Sequence, residues 1–135
     1  MRLILVLLWL VAATPGQSAE PPGEGLLWNR SGLPLLFPLH VRTGPGAGYY
    51  LQLLDPKTGK PAMAAWFEGG ELFRVLAPPG EWRLVIAKGA VSDWQGEAQA
   101  FGPESEIIDQ GLVFFGVLGL ASRQGVIIDL LGQGI

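Results

Sequence analysis

The sequence predicts an all-β fold: an antiparallel β-sandwich of about seven to eight short strands, formed by one domain over residues 26–135. Three observations carry that prediction. Several short runs alternate apolar and polar residues with the two-residue period of a strand that buries one face. Twenty glycines and 11 prolines among 135 residues interrupt those runs at intervals that suit tight turns better than helices. With 49% of the chain hydrophobic, many half-apolar strands must each hide a face, and two packed sheets do so around one core.

The first residues read as an export signal. Arg2 supplies the positive start, Leu3 to Ala13 the apolar run, and Thr14 to Ala19 the small and turn-forming residues of a cleavage site. That run is shorter than the roughly 20 residues of a membrane-spanning helix, so cleavage is expected. A cut after Ala19 removes a signal peptide of residues 1–19, and a cut after Ser18 is nearly as suitable. Residues 20–25, EPPGEG, have no apolar periodicity and read as a flexible leader.

Leu26, Leu27 and Trp28 form a short apolar cluster before a turn at Asn29 to Gly32. Leu39, Val41 and Thr43 alternate with His40 and Arg42 as a first strand, near a sheet edge because Pro34 and Pro38 precede it. Gly44 to Gly48 is a glycine-rich loop leading to a second strand, Tyr49 to Asp55. Asp55 to Lys60, DPKTGK, turns the chain through Pro56 and Gly59 into a third strand, Pro61 to Phe67. After Glu68 to Glu71 comes the most legible stretch, GGELFRVLAPPGEWRLVIAKG from Gly69 to Gly89. Phe73, Val75 and Ala77 alternate on one run and Trp82, Leu84 and Ile86 on the next, with a reversal at Pro78-Pro79-Gly80 that predicts a β-hairpin. Short connections from Leu39 to Lys88 predict antiparallel meander pairing. Further on, Glu97 to Phe101 reads as a short strand, Gly102 to Asp109 as a polar connection, and Leu112 to Leu118 and Val126 to Leu131 as the last two strands.

Composition narrows the chemistry. With no cysteine, disulfides, thiolate metal sites, Cys nucleophiles and lipoprotein acylation are all excluded. Without Arg2, 8 basic residues face 12 acidic ones, a net charge of −4 that argues against nucleic acid as a partner. His40 is the sole histidine, so a multi-histidine metal site is impossible, and none of Ser31, Ser92, Ser105 and Ser122 lies in a nucleophile elbow. The carboxylate pairs Glu68/Glu71, Glu104/Glu106 and Asp93/Glu97 read as solvated turn charges. No catalytic residue, cofactor or metal is assigned.

Ser92 to Glu97, SDWQGE, is the least ordinary stretch. Trp94 with Asp93, Gln95 and Glu97 offers a flat apolar face with hydrogen-bonding groups at its rim, as a glycan or peptide contact would. The competing reading folds Trp94 back to plug the end of the sandwich.

Phe73-x-Val75-Leu76-Ala77-Pro78-Pro79-Gly80-Glu81-Trp82-x-Leu84 resembles the LPPGxYxL hairpin of carboxypeptidase-regulatory-like and transthyretin-like β-sandwich domains, with Trp82 in the tyrosine position. Trp94-x-Gly96-Glu97 and Phe101-Gly102-Pro103 are similar to small exported bacterial proteins of unknown function. The resemblance implies a sandwich and carries no catalytic residues. The expectation is therefore an exported, non-enzymatic accessory or interaction module, periplasmic or extracellular, whose partner is another envelope protein or a second copy of itself. No membrane span is expected after cleavage. The alternative is a small-ligand or glycan binder using the Trp94 loop.

Overall fold

The computed structural model describes residues 20–70, 72–114 and 125–131. The predicted signal peptide, Glu71, Phe115 to Leu118 and Ser122 lie outside the described residues. Among the described residues eight strands form two sheets: β1 (Gly25–Asn29), β2 (Phe37–Arg42), β3 (Gly48–Leu54), β4 (Pro61–Glu68), β5 (Leu72–Ala77), β6 (Gly80–Gly89), β7 (Glu106–Phe114) and β8 (Val126–Asp129). One sheet has the order β1-β4-β3-β6-β7 and the other β5-β2-β8. All pairings are antiparallel except β2 with β8, which is parallel. The all-β, two-sheet prediction holds.

The pairing of neighbours in sequence does not follow the prediction. The stretch from Gly69 to Gly89 is no hairpin: β5 pairs with β2 in the smaller sheet, and β6 pairs with β3 and β7 in the larger. Pro78-Pro79-Gly80 carries the chain from one sheet to the other. Gly80 takes φ +125°, and the Trp82 indole N–H donates to the Pro78 carbonyl at 3.1 Å, which fixes the corner. Two facing strands show the same alternation as two paired ones, because in both arrangements every second residue meets the core. The meander fails for the same reason. Among the described strands only β3–β4, across Asp55 to Lys60, is a hairpin with a short turn. There the Asp55 carboxylate accepts from the backbone N–H groups of Lys57 (2.8 Å) and Thr58 (3.1 Å), which holds its pKa below the usual carboxylate value.

Three further elements differ from prediction. Leu26 to Trp28 belong to an edge strand, β1, whereas Glu97 to Phe101 is turn. The polar run from Glu106 is already strand, because β7 is an edge and its polar residues face water.

Between the sheets the core joins Phe37, Leu39, Val41, Phe73, Val75, Ala77 and Ile128 to Tyr49, Leu51, Leu53, Phe67, Trp82, Leu84, Ile86 and Phe114. Tyr49, Phe67 and Phe73 form a stack, with centroids 4.9 and 4.2 Å apart, that bridges the two layers. Thr43 Oγ1 is a buried side-chain polar atom that finds no hydrogen-bond partner among the described residues.

Trp82 is 9% exposed and closes the core under the Pro78 corner. Trp82→Ala is expected to cost about 3 to 5 kcal/mol in chemical denaturation. Trp82→Phe, which keeps most of the packing and loses the bond to Pro78, should cost about 1 kcal/mol from that bond. Equal midpoints for the two variants would show that the corner bond contributes more than the packing.

Candidate functional site

β6 and β7 are neighbours in the larger sheet, and the chain between them, residues 90–105, runs across that sheet's outer face. Two 3-10 turns, Val91–Asp93 and Gly102–Glu104, bend it back on itself. Its middle is tied by Gln95 N–H to the Ala100 carbonyl and by Ala100 N–H to the Gly96 carbonyl, both 2.7 Å. Ser105 Oγ closes the far end by accepting from Phe101 N–H and donating to the Gly102 carbonyl.

This loop builds a second, smaller core on the outside of the sheet. Trp94 is 2% exposed and Phe101 1%, packed with Tyr50, Ala64, Trp66 and Ala87. The Trp94 ring lies 4.7 Å from Trp66 and 5.3 Å from both Tyr50 and Phe101. Such close approach needs bare backbone beneath the rings. Gly48 and Gly89 are paired with each other across β3 and β6; a Cβ on Gly48 would meet Trp66 at 2.7 Å, and one on Gly89 would collide with the Phe101 ring.

The four residues predicted as a contact set point in different directions. Trp94 folds inward, and it covers the outer sheet face rather than an open end of the sandwich. Asp93 is exposed on the first 3-10 turn, and Gln95 is half-buried with its amide against Gly102. Glu97 turns back toward the sheet, where one carboxylate oxygen accepts from the Trp28 indole N–H and the Tyr50 hydroxyl, each at 2.8 Å. Trp28 also carries the Arg30 guanidinium over its ring at 3.9 Å. Neither Trp28 nor Tyr50 was predicted as a site residue. The available signal was the pair of tyrosines opening β3, since a strand with aromatics at adjacent positions has an apolar group on each face.

Beside Glu97 the loop and sheet leave a groove of about 340 Å³, floored by Tyr50, Gln52, Val85 and Ile107 and walled by Glu97, Gln99 and Ser105. It is a shallow cleft with a mostly apolar lining and one fixed carboxylate, and no indole is among its lining residues. A second hollow, of about 540 Å³, lies between the start of β1 and β5, with Glu24, Glu68, Leu72 and Arg74 on its walls. His40 sits mid-strand between Arg74 and Ile127. Glu106 pairs with Lys88 at 3.8 Å, and no group of three or more His, Cys, Asp or Glu side chains suited to a metal ion occurs among the described residues. No family model, curated protein or solved structure matches the chain.

Removing Glu97 takes the acceptor away from the part-buried Tyr50 hydroxyl. Glu97→Ala is expected to cost about 1 to 3 kcal/mol and to raise hydrogen exchange in residues 91–105 without altering β2 or β5. Burial, and then the Glu97 carboxylate, push the Tyr50 phenol well above its usual pKa of 10.0. The folded state therefore favours the neutral phenol. Its contribution to stability is full below pH 10.0 and is lost as pH rises toward the raised value. Melting temperature above pH 10.0 should fall more steeply for the parent protein than for Tyr50→Phe; parallel curves would place the Tyr50 hydroxyl in water.

Proposed function

We propose that this chain is an exported, non-enzymatic β-sandwich accessory module of the carboxypeptidase-regulatory-like or transthyretin-like kind, engaging another envelope protein through the outer face of its smaller sheet. The observation that supports this is the make-up of that face. Leu72 (49% exposed), Leu76 (41%) and Ile127 (60%) lie on it in the open. Strand register sets Leu76 beside Pro38 and Ile127 beside His40, with Arg74 on the far side of His40 and Arg42 beside Leu72.

The chain is acidic overall, at net charge −3, yet this face gathers two arginines and the sole histidine around apolar side chains. Asp129, 3.7 Å from Arg42, offsets part of that charge. An acidic surface with apolar anchors is the complementary partner. Burying a few large apolar groups provides affinity, and the arginines orient the encounter. The predicted export signal places the encounter in the periplasm or outside the cell.

A second reading, a small-ligand or glycan binder, is favoured by the groove beside Glu97, where Gln52, Gln99 and Ser105 supply hydrogen-bonding groups. With Trp94 buried, such a ligand would lie on the floor of Tyr50, Val85 and Ile107 and be oriented by those polar groups rather than stack on an indole.

Photo-cross-linking in cells separates the readings. A cross-linker replacing Leu76 or Ile127 is expected to yield one discrete adduct in the periplasmic or secreted fraction, lost when Arg74→Glu is added. Absence of any adduct from both positions, together with chemical-shift changes at Gln52, Glu97 and Ser105 on titration with peptidoglycan fragments or simple sugars, would replace the first reading with the second.

A further inference from the structure

Among the described residues no strand lies beyond β7, and none of them pairs with the outer side of its backbone. Edges of sheets are ordinarily protected by brevity, proline, lysine, a bulge or an uncompensated charge. The other edges here show such devices. β1 is five residues long with a register shift between Leu26 and Trp28, β8 has four residues, and β5 carries Arg74 and runs into Pro78-Pro79. β7 shows none of them. It runs nine residues from Glu106 to Phe114, its register with β6 is unbroken throughout, and it contains neither proline nor lysine.

Its two charges are already answered from within the chain. Asp109 forms a two-bond pair with the Arg83 guanidinium, one bond of 2.8 Å, and Glu106 lies 3.8 Å from Lys88. Both cations belong to β6, the inward neighbour. The exposed apolar side chains Ile107 (58%) and Val113 (49%) stand near the two ends of the strand on the sheet's outer face.

We infer that β7 pairs antiparallel with β7 of a second copy of this chain about a two-fold axis at Gln110, joining the two five-stranded sheets into one continuous sheet. The occupant follows from the order of residues along the strand. In that register Ile107 lies opposite Val113 of the second copy, twice by symmetry, so the apolar side chains meet each other on the outer face. Asp109 lies opposite Gly111, which offers no side chain to crowd the Asp109–Arg83 pair and no like charge to oppose it. On the other face Ile108 lies opposite Leu112, Glu106 opposite Phe114, and Gln110 opposite its own copy, where two amides can exchange hydrogen bonds. No acidic residue meets another directly. A slip by one residue would pair inner-face with outer-face side chains and lose every one of these matches. The arrangement is isologous and closes on itself, which gives a dimer rather than a fibre.

Analytical ultracentrifugation of the purified protein over a concentration series tests this. The expected result is a reversible species of twice the monomer mass. Ile107→Lys is expected to raise its dissociation constant about tenfold or more, and adding Val113→Glu should recover the dimer by setting opposite charges across the two-fold. Ile107 is exposed, so thermal unfolding should be unchanged at concentrations where the parent protein is monomeric; should that variant misfold, Val113→Lys serves in its place. Because the chain has no cysteine, Gln110→Cys should cross-link to its own copy under mild oxidation, whereas Gly111→Cys should not. A monomer at every concentration, a dimer indifferent to both lysine variants, or equal cross-linking at the two positions would overturn the inference. A monomer that still gives the Leu76 or Ile127 adduct in cells would overturn the dimer alone and leave the proposed function standing.

Discussion

The contact of Trp94 with Trp66, 4.7 Å between ring centroids on the side of the larger sheet away from the smaller one, is what the rest of the architecture depends on. β4 is buried at every interior position from Ala62 to Phe67, and β3 from Gly48 to Leu51. Strands of that kind cannot leave one face in water without exposing tryptophan, tyrosine and alanine in a contiguous patch. A partner sheet covers only one face. The second cover has to come from elsewhere, and the connection from β6 to β7 supplies it by crossing the sheet instead of turning tightly. Once that crossing is made, Glu97 comes within reach of Trp28 and Tyr50, so a single carboxylate ties the edge strand, the central strand and the loop together.

The class of fold could be read from periodicity because alternation at Phe73, Val75 and Ala77, and again at Trp82, Leu84 and Ile86, survives whichever strand each run pairs with. Pairing itself could not. Alternation records which face of a strand meets the core and carries no information on which neighbour completes its hydrogen bonds. The sandwich was therefore legible while the hairpin and the meander built from the same residues were not. PAMAAWF shows the limit in another way. Ala64 and Trp66 pack under the loop while Met63, Ala65 and Phe67 enter the core between the sheets, so the strand has no polar face. A continuous apolar run of this length is the mark of a strand covered on both sides.

The candidate site was legible to a similar depth. SDWQGE stands out because a tryptophan in a polar loop must either meet a ligand or fold against its own protein, and local sequence does not separate the two. What decides between them is remote from the loop. Gly48 and Gly89 lie opposite each other in neighbouring strands and lack the side chains that would keep Trp66 and Phe101 away from the backbone. In sequence both sit beside turns, where glycine is expected for other reasons, so their role as a seat for aromatic rings is visible only after β3 and β6 are paired.

Unequal sheets also determine which surfaces remain open. Three strands packed on five cover only one end of β7, where Phe114 meets Phe37 of β2 at 5.6 Å between ring centroids, so Gln110, farther along the same face, is still exposed. The outer face of the larger sheet is largely taken by the chain's own loop. Two surfaces of different kind are left: a face of side chains on β5, β2 and β8, where leucine and isoleucine surround arginine and histidine, and an edge of backbone groups along β7. The first can be matched by any surface of complementary charge and shape. An edge is matched only by another extended strand in register, so these two surfaces differ in the kind of partner each can accept, and one molecule can use both at once.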